Sequence, residues 1–346
     1  MHFEDSNRRP AIAQVVGAVL VFLLALHAPA SADDTADGRA LFMRVYETVE
    51  RGDWSPVENL AANERHILEE YVLWPDLRAA WLRASLKQVP RTEMDTFLSR
   101  HGTLRPAREL RYRYALHLGR TGKLPAFQRI YQQYYQGSGV AALDCLSLQA
   151  DIAAGRHARV PGRAIDLWLV GRSQVDECDP VFDYLRDRGL LGEDEYRKRF
   201  ALAIEAREFR LARWLGKSID QEHVATAGRW IQAQSDPQRF LARHDRSQDS
   251  ESYRAQLAYA AERLTYRDPA AALHHWETVE PHYGFATEQT LRVRRHIALW
   301  TARDNLPGGH TLLAALPRAA QTDEVMRWRA RSSLREPDWQ RPVSYT

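Results

Sequence analysis

Two cysteines, Cys145 and Cys178, are all that the 346 residues contain, and they stand 33 positions apart. That excludes a CxxC redox pair and a cysteine zinc site, which need closer spacing or more ligands. Neither sign of charge dominates: 48 basic side chains are interspersed with 45 acidic ones, and no basic block marks a nucleic-acid-binding surface. The surface reads as mixed and solvated, with no nucleic acid expected as a partner. No long stretch alternates apolar and polar residues over strand length, so sheet content is expected near zero. The apolar run from Ile12 to Leu26 falls short of the roughly 20 residues that a spanning helix needs, and Gln14 and Gly17 interrupt it.

That run has a different use. Arg8 and Arg9 precede it, and Ala30-Ser31-Ala32 offers small residues at a cleavage position before the polar pair Asp33-Asp34. Residues 1–32 therefore read as a secretory signal peptide, leaving 33–346 as the mature chain with no membrane span after cleavage. An exported chain resides where a thiol pair oxidises and persists, so Cys145 and Cys178 are expected to form a disulfide. Closing a loop of that length restricts the unfolded chain by about 3–4 kcal/mol in the chain-entropy model, a stabilising role.

Helical spacing recurs from Leu41 to the end. Tyr253, Leu257, Ala260, Ala261 and Leu264 make one apolar stripe, and Arg254, Gln256, Glu262 and Arg263 are expected off it, in solvent. Helix starts are marked by an acidic residue before proline, at Asp179-Pro180, Asp236-Pro237, Asp268-Pro269 and Glu336-Pro337: the carboxylate accepts from orphan amides and proline needs no amide partner. Asp236 to Asp268 is 32 residues and Asp268 to Glu336 is 68, twice 34, the period of a helix-turn-helix repeat. Short breaks at Gly119-Arg120-Thr121-Gly122, Ala154-Gly155, Gly189 and Pro307-Gly308-Gly309 predict antiparallel pairs. The fold class is thus all-α, a solenoid or superhelix of antiparallel helix pairs over 33–346, with Trp168, Trp214, Trp230, Trp276 and Trp300 expected between layers.

Chemistry-bearing patterns are sparse. Gly119 to Lys123 has glycines too close for a phosphate loop and no Ser or Thr after the lysine. His274, His275 and His282 cluster near Glu277 and Glu280, but Pro281 interrupts the helix and no His-Glu-x-x-His pattern is present, so no metal or cofactor is expected. No Gly-x-Ser-x-Gly elbow occurs, and Glu193-Asp194-Glu195 reads as a solvated helix start. Arg111-Tyr112-Arg113-Tyr114 and Arg327-Trp328-Arg329 interleave basic and aromatic residues; on helices these point in different directions, which reads as packing with a weak binding signal. No catalytic residue is assigned.

One segment is more specific. Leu167-Trp168-Leu169-Val170-Gly171-Arg172-Ser173-Gln174, continuing through Cys178-Asp179, is similar to the helical N-terminal region of the soluble lytic murein transglycosylases. Cys145, Ala150 and Ala154-Gly155 resemble the family segment that carries the first half-cystine. Tyr71-Val72-Leu73-Trp74-Pro75-Asp76-Leu77 resembles its aromatic-proline turn, and Pro106-Ala107-Arg108-Glu109-Leu110 the helix start that follows. The resemblance runs from about Asp37 to Leu215 and then fades into generic solenoid.

The resemblance implies a periplasmic protein of peptidoglycan chemistry. Family members cleave the glycan strand between N-acetylmuramic acid and N-acetylglucosamine, forming a 1,6-anhydro product. One glutamate acts as acid and then base. It lies in a lysozyme-like C-terminal domain, within a Glu-Ser motif followed by Gly-Leu-Met-Gln. Here Glu251-Ser252 is followed by Tyr253-Arg254-Ala255-Gln256-Leu257, and no Gly-Leu-Met-Gln occurs, so Glu251 is not carried over. The expectation is the superhelical scaffold without the catalytic domain, whose partners are peptidoglycan strands or a separate catalytic domain. The alternative is a periplasmic repeat adaptor for envelope proteins.

Overall fold

The structure, a computed structural model, describes residues 32–335, with side chains from Thr35 onward. The signal peptide expected over 1–32 lies outside the described residues but for Ala32, as does the Glu336-Pro337 helix start. Every regular element among the described residues is helical, and no strand occurs. The chain divides into two compact units, one up to Ala150 and one from Asp151. No linker marks that point in the sequence, because the helix Ala141–Ala153 runs through it.

In the first unit the main helices are Ala32–Glu50, Ala62–Glu70, Trp74–Ala84, Arg91–His101, Arg105–Arg120 and Leu124–Tyr134, followed by Ala141–Ala153. Trp74–Ala84 packs on both Ala32–Glu50 and Arg105–Arg120. The apolar stripe of Arg105–Arg120 explains this: Ala107, Leu110, Tyr114 and Leu118 recur at helical spacing and are buried. They join Leu82, Phe97, Phe127 and Leu143 in one core. The expected break falls at Thr121 to Lys123, between Arg105–Arg120 and Leu124–Tyr134, with Gly119 and Arg120 still in the first helix.

The second unit shows the repeat most clearly. Its longer helices, Gln221–Ser235, Glu251–Thr265 and Thr287–Arg303, are followed by Asp323–Ser333. They start at 221, 251, 287 and 323, steps of 30, 36 and 36 residues. Each packs on the next long helix as well as on the shorter helix between them, such as Pro269–Val279. Stacking of this kind buries stripes that one helix pair leaves exposed. The stripe Tyr253, Leu257, Ala260, Ala261 and Leu264 is buried as the spacing predicts. Asp236 and Asp268 each accept from the amide three residues on, the expected N-cap.

Three expectations are corrected. Asp179 is not a cap: it sits in the first turn of Asp179–Asp187, after Cys178, and no side chain caps that helix, because the 3-10 turn Asp176–Cys178 leads straight into it. Gln256 is fully buried rather than solvated; its amide takes a hydrogen bond from Arg229 and donates to the Thr226 carbonyl. Trp214 is 47 % exposed, since its helix Phe209–Gly216 buries Phe209, Ala212 and Leu215 on the other side, while Trp168, Trp230 and Trp276 are buried as expected. Both cysteines are buried and disulfide-bonded.

Candidate functional site

The segment Leu167 to Gln174 is a packing device. Trp168 ends the helix Pro161–Trp168 and is buried beneath Arg199, whose guanidinium carbon lies 3.9 Å from its ring centroid. Arg199 comes from the helix Glu193–Glu205 and donates to the carbonyls of Val170 and Arg172. Gln174 closes the loop by donating to the Leu167 carbonyl at 2.9 Å. Between these, Gly171 presses on the Leu202 backbone so closely that a Cβ there would stand 2.3 Å from its carbonyl oxygen. Burial lowers the Arg199 guanidinium to about 10, yet two carbonyls and an aromatic face keep it in place without a carboxylate. Sequence reasoning missed Arg199, since its partners lie nearly thirty residues back along the chain.

The carboxylate and histidine patterns weighed in the sequence serve helix starts and surface pairs. Glu251 lies exposed in the first turn of its helix, behind the N-cap Ser250, and Ser252 accepts a bond from the Gln256 amide. Glu193 pairs with Arg197 at 2.5 Å, and Glu195 accepts from the Gly192 amide, as a helix start does. Glu280 is held by Arg294 at 2.7 Å, and Pro281 sits in a 3-10 turn after the helix Pro269–Val279. No group of three or more His, Cys, Asp or Glu among the described residues is placed to hold a metal ion. Trp328 is flanked by Arg303 and Arg331, an ordinary surface stack.

Two of the open clefts among the described residues, one in each unit, gather several charged side chains. That of the second unit, about 570 Å³, is lined by Arg229, Arg239, Arg243, Asp236, Asp245 and Tyr253 among others. Arg239 and Arg243 are exposed and form no ion pair among the described residues, while several of its other polar groups are committed to the fold. Asp236 caps a helix, and Ser247 and Gln248 bind Asp245, holding its carboxyl below the usual range. Arg229 is bonded to Gln256 and Thr226, and the Tyr253 hydroxyl accepts from the Asp245 amide.

The cleft of the first unit is richer in arginine and tyrosine. About 810 Å³ in volume, it gathers Arg83, Arg108, Arg111 and Arg113 with Tyr112, Tyr134 and Tyr135, and only Glu50 and Glu109 oppose the four cations. Arg108, Arg111 and Tyr112 face it from one side of Arg105–Arg120 because residues three and four apart share a helix face. Glu109 lies 3.6 Å from Arg83 and is also bonded by Arg105 at 3.1 Å. Arg108 and Arg113 are exposed and form no ion pair among the described residues.

Arg111 is the built part of this cleft. It is 8 % exposed, donates to the Gly102 carbonyl at 2.6 Å, and carries Tyr134 on its guanidinium face at 3.8 Å. Its Nε is buried with no hydrogen-bond partner. Gly102 makes room, since a Cβ there would come 3.0 Å from the Arg111 guanidinium nitrogen. Tyr134 remains 45 % exposed, and Tyr112 and Tyr135 meet edge to face at 6.4 Å. Burial pushes the Tyr135 hydroxyl up, against the pull of Arg111, so it stays protonated as a donor. The Arg111 to Tyr114 run had marked part of this cleft; Arg83, Tyr134 and Tyr135 come from other helices and only the fold brings them there.

The cleft of the first unit suits binding, since it presents cationic donors and aromatic faces. No described helix is long and apolar enough to cross a membrane.

No family model matches the chain. It is 26% identical over 258 residues to the soluble lytic murein transglycosylase of Salmonella typhimurium, a match covering 73% of this chain and 38% of that protein. The Escherichia coli protein of the same name is 25% identical over 246 residues, 70% of this chain and 37% of that one. The chain therefore spans under two fifths of the length of these curated relatives. Among solved structures, an inactive mutant of a lytic transglycosylase from Pseudomonas aeruginosa superposes with a TM-score of 0.57 at 25% identity, covering 85% of this chain and 47% of that one. The 70-kDa soluble lytic transglycosylase in complex with bulgecin A gives 0.57 at 20% identity, covering 88% and 53%, a likeness of fold. In sequence and in all-α architecture, the chain is similar to the helical part of the soluble lytic murein transglycosylases.

Proposed function

We propose that this chain is a periplasmic helical scaffold that binds peptidoglycan strands and guides them toward a lysozyme-like catalytic domain outside these 346 residues. The observation that carries the reading is the match to soluble lytic murein transglycosylases over 70% or more of the chain. The arginine and tyrosine cleft of the first unit supports it, because it offers stacking faces and cationic donors to a polymer that carries sugar rings and carboxylates. The export signal expected over 1–32 and the disulfide-bonded cysteines support a periplasmic location. Bond cleavage is assigned elsewhere, since Glu251-Ser252 lacks its companion motif.

The test is to incubate the purified mature chain with peptidoglycan, sediment it, and search the supernatant for anhydromuropeptides by mass spectrometry. Co-sedimentation without anhydromuropeptides is the expected result. Anhydromuropeptide release would show that the chain cleaves the strand itself. A chain that stays in the supernatant overturns the reading and favours an adaptor for envelope proteins.

A further inference from the structure

From the first-unit cleft we infer a specificity: it recognises free carboxylates of the peptide stems of peptidoglycan rather than its sugar rings. This rests on the peptidoglycan reading above and adds the chemical group that is read. Four arginines face two glutamates there, so the cleft is cationic and favours an anionic ligand. One of the two opposing carboxylates, Glu109, is already shared between Arg83 and Arg105.

The guanidinium chemistry points to carboxylate in particular. Arg111 is buried, fixed by the Gly102 carbonyl and the Tyr134 ring, and still has an unpartnered Nε. That Nε is closed off from solvent, so Arg111 shapes the wall of the cleft and the donor forks open to a ligand are those of Arg108 and Arg113. Arg108, one turn earlier on the same face, and Arg113 nearby have no carboxylate of their own and present planar donor forks suited to two carboxylate oxygens. In intact peptidoglycan the lactyl carboxyl of muramic acid is tied up as an amide to the stem, so the free carboxylates are those of the stems. Neutral sugar rings offer hydroxyls that satisfy these cations poorly.

The experiment uses the full mature chain and two forms of the same peptidoglycan, native and with its carboxyl groups converted to amides, so that sugars and peptide backbone are unchanged. The native form is expected to retain the chain roughly tenfold more tightly than the amidated form. The double variant Arg108→Gln/Arg113→Gln should lose that preference while melting at the unchanged temperature, because both side chains are exposed. A free stem tetrapeptide should compete, and an uncharged chitooligosaccharide should not. Equal retention on native and amidated peptidoglycan overturns the carboxylate assignment and leaves the scaffold reading standing. Equal binding by the double variant, or competition by the chitooligosaccharide alone, also overturns it. Retention on neither form overturns the peptidoglycan reading itself.

Discussion

Two buried arginines, one in each unit, show how the same side chain serves different ends. Arg199 in the second unit is 3 % exposed, donates to two backbone carbonyls and covers Trp168, and its surroundings are closed. Arg111 in the first unit is nearly as buried, but it donates to one carbonyl, leaves Nε unpartnered, and opens onto a cationic cleft beside a half-exposed tyrosine. Both arginines hold backbone and aromatic groups in place, but only Arg111 does so in the wall of an arginine-rich cleft, beside the exposed Arg108 and Arg113.

The contrast breaks most sharply at Gly171. Gly171→Ala puts a methyl on the Leu202 carbonyl, which backbone cannot avoid cheaply, and is expected to destabilise by about 3 kcal/mol or more by denaturant melting. The matching Gly102→Ala change also meets backbone, the Leu98 carbonyl, so its informative readout is weakened peptidoglycan retention as Arg111 is displaced. Cys145→Ala should lower the melting temperature under oxidising conditions, with a loss of about 3 kcal/mol; an unchanged melt would remove the disulfide from any account of stability.

Arg199→Met is expected to cost about 2 kcal/mol, from two carbonyls left without donors, while Arg111→Met should cost less and act mainly on binding. If Arg111→Met proves the more destabilising, the two arginines do not differ as argued. Asp268→Ala removes a cap that accepts from Ala271 at 2.9 Å and should cost about 1 kcal/mol.

The smallest effect is a pH response of the second unit. Burial holds the His296 imidazole below its ordinary 6.5, and its Nε2 is buried without a partner. The unfolded chain therefore takes up that proton first: stability from this group is full above the ordinary value and is lost as pH falls below it. Thermal melts at about pH 7.5 and about pH 5.5 should show the decline, and His296→Gln should reduce it, with His275, also held low by burial, supplying part of the remainder.

Helix identity was legible wherever spacing and local chemistry agree. The stripe from Tyr253 to Leu264 and the caps Asp236 and Asp268 involve residues within a few turns of one another, so the sequence holds all the partners. Gln256 was not legible, because the residues that satisfy its amide, Arg229 and Thr226, belong to another helix. Trp214 was half legible: Phe209, Ala212 and Leu215 already define the buried side of its helix, and Trp214 falls off it. The cleft was half legible too. Arg111 to Arg113 stood out as a run, but Arg83, Tyr134 and Tyr135 joined it only through the packing of Trp74–Ala84 and Leu124–Tyr134 against Arg105–Arg120.

The most family-like stretch of this sequence, around Gly171, turns out to be a fastening in which Trp168, Gly171 and Arg199 interlock with backbone. Such a fastening reports ancestry of shape and is silent about whether a bond is cut. A match confined to this stretch therefore speaks for a shared packing of helices, and catalysis has to be tested on its own.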